Sequence, residues 1–182
     1  MKVILPIACS GAGKTTYWRT HCPDSTLLEA DLIREELTGD IGDIEHETEV
    51  WKVFFERFRN YLKEGKSDIY LSEMHLSLKG IKEELSTILQ VNPDYDVEIV
   101  VFDISDNWEE CYRRVEKDLK LGVNRSPTVG PMKKLGNKEI PLIQDMSRRF
   151  HILVNSKEFN DTIYFFISKG LNIEVVHNKE GM

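Results

Sequence analysis

The chain contains little cysteine and no long apolar run. Cys9, Cys22 and Cys111 are the three cysteines among 182 residues, and none of them belongs to a CxxC pair. This spacing favours neither a disulfide framework nor a zinc site, and it predicts a reduced, cytoplasmic protein. The longest candidate apolar stretch, residues 162–168, is far shorter than the ~20 residues that a membrane span requires. We therefore expect no membrane partner.

An excess of basic charge is also missing. The formal net charge is −7, which argues against a protein that coats nucleic acid with a basic face, although a small basic pocket remains compatible with it. A composition of 41% hydrophobic and 30% charged residues is typical of a globular protein. The length suits one domain, and we predict a single domain over residues 1–182.

Short apolar runs alternate with amphipathic segments along most of the chain. This alternation predicts an α/β fold with a largely parallel sheet and helices on both faces. Strands are predicted at residues 2–9, 25–30, 68–72, 97–102 and 171–176, and helices at residues 15–21, 31–37, 45–64, 78–90, 107–119, 141–150 and 158–169. Between residues 120 and 139 the alternation fails and glycine, proline and lysine dominate, so a mobile lid is predicted there.

A glycine-rich motif follows the first predicted strand and reads Ala8-Cys9-Ser10-Gly11-Ala12-Gly13-Lys14-Thr15. It matches the P-loop pattern except that alanine replaces the first glycine. Backbone N–H groups of such a loop surround phosphate oxygens, the lysine neutralises their charge, and the threonine hydroxyl can bind Mg²⁺. The motif therefore predicts an adenylate-kinase-like P-loop NTPase fold that binds ATP and Mg²⁺. Lys14 is predicted to be catalytic and Thr15 to be the metal ligand. The predicted nucleotide contacts are Ser10, Gly11, Ala12, Gly13, Lys14, Thr15 and Thr16. The alternative is a glycine turn that merely joins a strand to a helix.

Asp31 follows the second predicted strand, at the same edge of the sheet as the P-loop. A carboxylate there can accept the proton of an attacking hydroxyl, and we predict Asp31 as the general base. Arg34 lies three residues later, hence on the same helix face, and is predicted to bind an acceptor phosphate. The alternatives are an N-cap for Asp31 and a solvated side chain for Arg34.

A guanidinium group in the lid would compensate the charge that spreads over the γ-phosphoryl oxygens during transfer. Arg125 is the preferred catalytic candidate, and Arg113 and Arg114 are the alternatives. Cys9 and the three tryptophans, Trp18, Trp51 and Trp108, are interpreted as packing residues.

Two segments of the sequence carry a family resemblance: residues 4–18, which include Gly11-Ala12-Gly13-Lys14-Thr15-Thr16-Tyr17-Trp18, and Asp31-Leu32-Ile33-Arg34. They resemble the kinase domain of polynucleotide 5′-hydroxyl kinases, and the phage-type enzymes look closest. Ile140-Pro141 and Met146 extend the resemblance to about residue 150. It implies that Asp31 is the general base for a 5′-hydroxyl and that Arg34 contacts the acceptor's 3′-phosphate. The sequence departs from the family at Ser72-Glu73-Met74-His75, where the family usually has Asp-Thr-Asn. Glu73 is predicted to bind substrate, by positioning Mg²⁺-bound water or orienting Arg34, and His75 to be a surface or packing residue.

Three functions remain open on the sequence. The first is an ATP-dependent phosphotransferase that acts on the 5′-hydroxyl end of a polynucleotide. The second is a kinase of a nucleoside, nucleotide or other small metabolite, and the third is a nucleotide-binding module without turnover. The choice between DNA and RNA, between ATP and GTP, and the oligomeric state are equally open.

Overall fold

The architecture is a parallel sheet flanked by helices, seen in a computed structural model that describes residues 1–126 and 128–179. Pro127, inside the predicted lid, and residues 180–182, at the end of the predicted domain, lie outside the described residues. The elements follow in the order β1 (Lys2–Ile7), α1 (Lys14–His21), β2 (Thr26–Leu28), α2 (Ala30–Thr38), α3 (Glu47–Glu64), β3 (Ile69–Leu71), α4 (Leu78–Val91), β4 (Asp96–Phe102), α5 (Trp108–Lys120), β5 (Met132–Leu135), β6 (Lys138–Pro141), α6 (Leu142–Val154), α7 (Lys157–Ser168) and β7 (Ile173–Asn178). A short 3₁₀ helix, Asp103–Asp106, joins β4 to α5.

Five strands form the main sheet in the order β2-β3-β1-β4-β7, and every pairing is parallel. The register places Val3 opposite Ile69 on one side and opposite Val97 on the other. Residues Val3 to Ile7 are all buried, although successive side chains of a strand point to opposite faces. Both faces of the sheet are therefore covered by helices, and the predicted α/β class is confirmed.

The long helix α3 follows from its apolar spacing. Val50, Phe54, Phe58 and Leu62 recur every four residues, and all four are buried. Tyr70 and Phe102, from strands β3 and β4, are fully buried in the same apolar core. Among the described residues, no helix combines the length and the apolar character that crossing a bilayer requires.

The predicted lid contains regular structure that the sequence interpretation missed. Strands β5 and β6 pair antiparallel across a turn at Gly136, and nearly all of their residues are exposed. The hairpin is therefore held by its own ladder rather than by the core. The preceding segment, which we call the crossing segment (residues 124–126 and 128), runs over the carboxyl edge of the sheet.

That edge is where the candidate residues meet. The P-loop follows β1, Glu29 follows β2, and Ser72 to His75 follow β3. Strands β2 and β3 lie on one side of β1, and β4 and β7 lie on the other side of β1. The order in which the chain adds strands therefore reverses beside β1. Ligands of such sheets bind at this position.

Candidate active site

The P-loop turns sharply because two glycines adopt positive φ angles, 82° at Gly11 and 98° at Gly13. Gly13 is the N-cap of α1. Gly11 also lies against α5, where an added Cβ would be 2.3 Å from the carbonyl oxygen of Cys111 and 2.9 Å from Cγ2 of Val115. Both the backbone angle and the close approach therefore require glycine at this position.

The loop is fixed at its beginning and open at its end. The N–H of Ala8 donates to the carbonyl oxygen of Met74 (3.0 Å), and the N–H of Cys9 donates to the Oγ of Ser105 (3.0 Å). The first hydrogen bond of α1 runs from the N–H of Tyr17 to the carbonyl oxygen of Gly13 (2.9 Å). The amides of residues 14–16 precede that bond and have no intrahelical partner, so they can bind an anion at the positive end of the helix.

Lys14 lies at the start of α1, partly exposed and surrounded by charge. Burial lowers the pKa of Lys14, while the nearby carboxylates of Glu73 and Glu29 raise it and Arg125 lowers it further. The hydroxyl of Tyr70 donates to the carbonyl oxygen of Lys14 (3.0 Å), which holds the first turn against β3. Thr15 and Thr16 are exposed beside it. These residues fit the phosphates and metal of a nucleoside triphosphate, and among the described residues no group of three or more His, Cys, Asp or Glu side chains is arranged to hold a metal ion by itself.

Asp31 lies in the first turn of α2, and the alternative interpretation as an N-cap is wrong because Glu29 occupies the cap position. Its side chain is 33% exposed. Oδ1 accepts a hydrogen bond from Nη1 of Arg34, and Oδ2 accepts one from the Oγ of Ser126 (2.9 Å). The carboxylate is thus held on both sides and faces the crossing segment.

Arg34 is a buried arginine, 9% exposed, rather than a solvated one. Besides Asp31 it binds Glu47, whose Oε1 accepts from Nε at 2.7 Å. Glu47 is in turn fixed by the indole N–H of Trp51, which donates to its Oε2 at 3.1 Å. The series of hydrogen bonds from Trp51 through Glu47 and Arg34 to Asp31 sets the orientation of the Asp31 carboxylate. Sequence reasoning missed Glu47 because it lies 13 residues from Arg34 and belongs to no recognisable motif.

Glu73 lies against the start of α2. Its Oε1 accepts a hydrogen bond from the N–H of Ala30 (2.6 Å), and burial raises the pKa of this carboxyl to about 7. The carboxylates that bind Arg34 are those of Asp31 and Glu47, so in this structure Glu73 orients the first turn of α2 rather than the arginine. Burial and the neighbouring Asp31 also raise the pKa of Glu29, a residue that sequence reasoning missed.

Arg125 reaches the P-loop from the crossing segment. Its Nη2 donates to the Oγ of Ser10 at 3.2 Å, and its Nη1 donates to Oδ2 of Asp118 at 2.5 Å. The hydroxyls of Thr128 and Ser10 are also hydrogen-bonded, at 2.9 Å. The guanidinium group of Arg125 therefore contacts the P-loop directly, through Ser10.

Arg113 and Arg114, the two alternatives, lie on α5 and both bind Glu110. Nε and Nη2 of Arg113 donate to Glu110 at 2.8 and 2.7 Å, and Nε of Arg114 donates to it at 2.8 Å. The side chain of Arg113 is 64% exposed. These contacts place both arginines in a surface ion-pair group on α5.

A family model for the AAA domain (AAA_33) matches residues 3–118, well over half of the chain. The chain belongs to this AAA domain family. The match covers the P-loop, the Asp31 helix and the strand before the lid, and it stops short of the crossing segment.

Solved structures similar to this AAA domain include chains that are described as kinases. A chain from Chloroflexus aurantiacus J-10-fl, provisionally described as a kinase, aligns at 19% identity with a TM-score of 0.52, over 69% of this chain and 70% of that one. A chain of a Pnkp1/Rnl/Hen1 complex aligns at 19% identity and a TM-score of 0.49, over 77% of this chain but only 45% of that one. APS kinase from Mycobacterium tuberculosis, solved with AMPPNP and APS, aligns at 15% identity and a TM-score of 0.44, over 85% and 98% of the two chains. No curated protein matches the chain. The alignment with the Chloroflexus aurantiacus chain shows that the AAA domain shares the fold of that chain.

His75 of this AAA domain is a structural residue, and the prediction of a packing histidine agrees with its position. It is 7% exposed, its Nδ1 lies 2.6 Å from the carbonyl oxygen of Pro6, and its Nε2 lies 3.0 Å from Oε1 of Glu84. Burial opposes a charge on the ring, but the Glu84 carboxylate raises the pKa of His75 overall. The pair fixes the segment after β3 to β1, directly below the P-loop.

The cysteines and tryptophans of the AAA domain also have packing positions. Burial raises the pKa of the Cys9 thiol to about 12, so this thiol is not poised for redox chemistry. Trp18, Trp51 and Trp108 are each partly buried against the core. The interpretation of all four as packing residues therefore agrees with the structure.

The arrangement brings together the parts that phosphoryl transfer needs. An anion-binding turn, two cationic side chains, Lys14 and Arg125, and one oriented carboxylate, Asp31, meet at the same edge of the sheet. Positioning and charge stabilisation account for most of the catalysis of phosphoryl transfer. The site is chemically equipped to hold a nucleoside triphosphate beside a hydroxyl.

Proposed function

We propose that this AAA domain is an ATP- and Mg²⁺-dependent phosphotransferase that moves the γ-phosphate to a hydroxyl, and that the hydroxyl is the 5′-OH of a polynucleotide. One observation carries the proposal: the Asp31 carboxylate already accepts a hydrogen bond from a hydroxyl, that of Ser126, beside the P-loop. A nucleotide switch that only changes shape would not need such a carboxylate. The polynucleotide part rests on the resemblance of residues 4–18 and 31–34 to polynucleotide 5′-hydroxyl kinases.

The residues divide the work by position. Lys14, the amides of residues 14–16 and the hydroxyl of Thr15 hold the triphosphate and its Mg²⁺, which neutralises charge on the phosphates. Asp31 accepts the proton of the attacking hydroxyl, and Arg125 stabilises the charge that spreads over the transferred group. Arg34 holds Asp31 in place and, on release from Glu47, contacts an acceptor phosphate. Glu73 fixes the start of the Asp31 helix.

A small-molecule acceptor is the second candidate, and Arg34 is the observation that favours it. Its guanidinium is shared between the carboxylates of Asp31 and Glu47 at 11% side-chain exposure, so binding an acceptor phosphate there must displace a buried ion pair. An acceptor without a phosphate at that position avoids this cost.

The cytoplasmic location of the enzyme stays a prediction.

A transfer assay separates these candidates. The protein is incubated with γ-labelled ATP and Mg²⁺, with 5′-hydroxyl oligonucleotides in one series and nucleosides, nucleotides and sugars in another. Label on the oligonucleotides alone supports the polynucleotide kinase, whereas label on small acceptors alone supports the second candidate. ATP binding with no labelled product in either series contradicts the proposed function. If oligonucleotides are the acceptors, the chain's net charge of −7 predicts a shallow salt dependence of binding.

Asp31→Asn is the decisive variant. We expect it to lose roughly 10²- to 10⁴-fold in kcat while keeping its affinity for ATP, because a general base contributes about that much to the rate. Glu36→Gln is the matched control, since Glu36 lies on the same helix, is 58% exposed and pairs with Arg57 away from the site. Lys14→Ala should weaken both binding and turnover. Full activity of Asp31→Asn would remove Asp31 as the base.

A further inference from the structure

The crossing segment places a hydroxyl of the chain itself at the candidate base. Ser126 is half-buried, and its Oγ donates a hydrogen bond to Oδ2 of Asp31 at 2.9 Å. A hydroxyl within 2.6 to 3.2 Å of a general base has the geometry that proton abstraction requires, by the ordinary ~3 Å criterion. Ser126 thus occupies the position of an acceptor hydroxyl with respect to Asp31.

The neighbours of Ser126 fix it beside the phosphate-binding loop. Arg125, one residue before it, binds Ser10 through Nη2 at 3.2 Å, and Thr128, two residues after it, binds the same Ser10 hydroxyl at 2.9 Å. Adjacent Cα atoms are about 3.8 Å apart, so Ser126 cannot lie far from Ser10. On the other side, Asn124 binds Glu35 of α2 through a hydrogen bond of 3.0 Å. The serine is therefore held between the P-loop and the Asp31 helix.

The surrounding charges suit phosphoryl transfer at this position. Lys14 and Arg125 lie on the P-loop side, and Arg34 lies behind Asp31. Cations so placed compensate the charge that develops on the transferred group. Ser126 lies in a loop rather than in a helix, so its phosphorylation breaks no helical hydrogen bond.

We propose that Ser126 is a self-phosphorylation site, at which the chain transfers the γ-phosphate of its own bound ATP. The Oγ of Ser126 forms the new bond to the γ-phosphorus, the bond between that phosphorus and the β,γ-bridging oxygen breaks, ADP leaves, and the proton of Oγ passes to the Asp31 carboxylate. This inference rests on the proposed phosphotransferase function. Phosphoserine at 126 places a dianion against Asp31, and an added acceptor hydroxyl competes with Ser126 for the same base.

The first test measures the modification itself. The wild-type protein is incubated with γ-labelled ATP and Mg²⁺ without any acceptor, and the label is located by peptide mass spectrometry. We expect up to one phosphoryl group per chain on Ser126, formed at a rate that does not depend on protein concentration because the transfer is intramolecular. Ser126→Ala removes the acceptor hydroxyl and should therefore leave no label on the peptide that contains residue 126. Ser168→Ala, a serine on the exposed end of α7, should label like the wild type.

The outcomes separate this inference from the proposed function. A preparation that phosphorylates an added hydroxyl acceptor but carries no phosphate on Ser126 overturns the self-phosphorylation site and leaves the proposed function intact. Label on Ser126 without any productive external acceptor supports the inference and contradicts the proposed transfer to an external hydroxyl. A protein that binds ATP and labels neither itself nor an acceptor contradicts both. A labelling rate per chain that rises with protein concentration overturns the intramolecular step.

A second test needs no nucleotide. Trypsin cleaves after Arg125 only when the crossing segment leaves the P-loop and α2. If the Ser126 hydrogen bond to Asp31 holds the segment, Ser126→Ala should accelerate this cleavage by roughly tenfold, as expected for loss of a hydrogen bond to a charged group. Ser168→Ala should be cleaved at the wild-type rate. Equal rates for Ser126→Ala and the wild type would show that the contact does not hold the hydroxyl at Asp31 and would overturn the proposal.

Discussion

Gly11 offers the sharpest test of how the P-loop is built. An alanine Cβ at this position would lie 2.3 Å from the carbonyl oxygen of Cys111, whereas ordinary contacts begin near 3.4 Å. The P-loop or α5 must therefore move by about an ångström, and overpacking of this kind costs about 1–3 kcal/mol. The positive φ of 82° adds about 1–2 kcal/mol for a residue with a Cβ. We expect Gly11→Ala to lower the free energy of unfolding by about 2–5 kcal/mol.

Gly13→Ala is the matched control, because it has the strain without the close contact. Its φ is 98°, but nothing lies within 4 Å of an added Cβ. We expect it to cost only the ~1–2 kcal/mol of backbone strain. Urea unfolding followed by circular dichroism measures both variants, and unchanged m-values would show that the unfolded states are comparable. A difference of about 2 kcal/mol between them should separate their Tm values by about 4–8 °C for a chain of this length.

The refuting result is equal destabilisation by the two alanines, which would show that the approach of Gly11 to α5 does not limit the loop. A second measurement uses ATP. Because Gly11→Ala displaces the backbone that surrounds the phosphates, ATP should raise its Tm by much less than it raises the Tm of the wild type. A full ATP-dependent shift in Gly11→Ala would contradict the assignment of the loop as a rigid cradle.

Three further predictions concern the carboxylates and thiols. Glu47→Gln should lower kcat with little change in ATP affinity, and it should lower the free energy of unfolding by about 1–3 kcal/mol, because the buried Arg34 loses a charge-assisted hydrogen bond. An unchanged kcat would contradict the role of Glu47 in orienting Arg34 and Asp31. The pKa of Glu73 in the folded protein, about 7, lies above its ordinary 4.5, so this group stabilises the fold below about pH 4.5 and that contribution is lost as the pH rises towards 7. Wild type should therefore become progressively less stable than Glu73→Gln between those pH values in parallel thermal melts, and a constant difference would show that the carboxyl is not perturbed. A thiol reagent should modify Cys22, which is partly exposed, well before Cys9, whose burial raises its pKa to about 12; peptide mapping that finds equal rates would contradict the packed position of Cys9.

The central sheet could be predicted from sequence because burial leaves a clear pattern there. Strand β1 buries a continuous run of apolar residues, and helix α3 buries an apolar residue at every fourth position. The predicted ends of both elements lie within two residues of the observed ends. The hairpin of β5 and β6 has nearly all of its residues exposed, so no burial pattern marks it. The Gly136-Asn137 pair at its turn was the remaining signal, and it was interpreted as part of a loop.

The site was partly predictable for a similar reason. The P-loop and Asp31 follow strands directly, so their positions follow from strand order alone. The start of α2 was misplaced because a carboxylate 43 residues away in sequence, Glu73, binds the N–H of Ala30 and lets the helix begin before Asp31. Glu47 and Ser126 were missed because they contact the Asp31–Arg34 pair from 13 and 95 residues away in sequence, and no local pattern records such contacts.

The crossing segment links the nucleotide side and the acceptor side of the proposed phosphotransferase site. Ser10, on the nucleotide side, and Asp31, on the acceptor side, are bound by neighbouring residues of one short stretch of chain, Arg125 and Ser126. A ligand that displaces the segment from one side weakens its attachment to the other side. Thermodynamic linkage then requires that ATP changes the affinity for acceptor by the same factor by which acceptor changes the affinity for ATP. In the proposed phosphotransferase, the segment therefore makes the binding of ATP and the binding of the acceptor energetically dependent on each other.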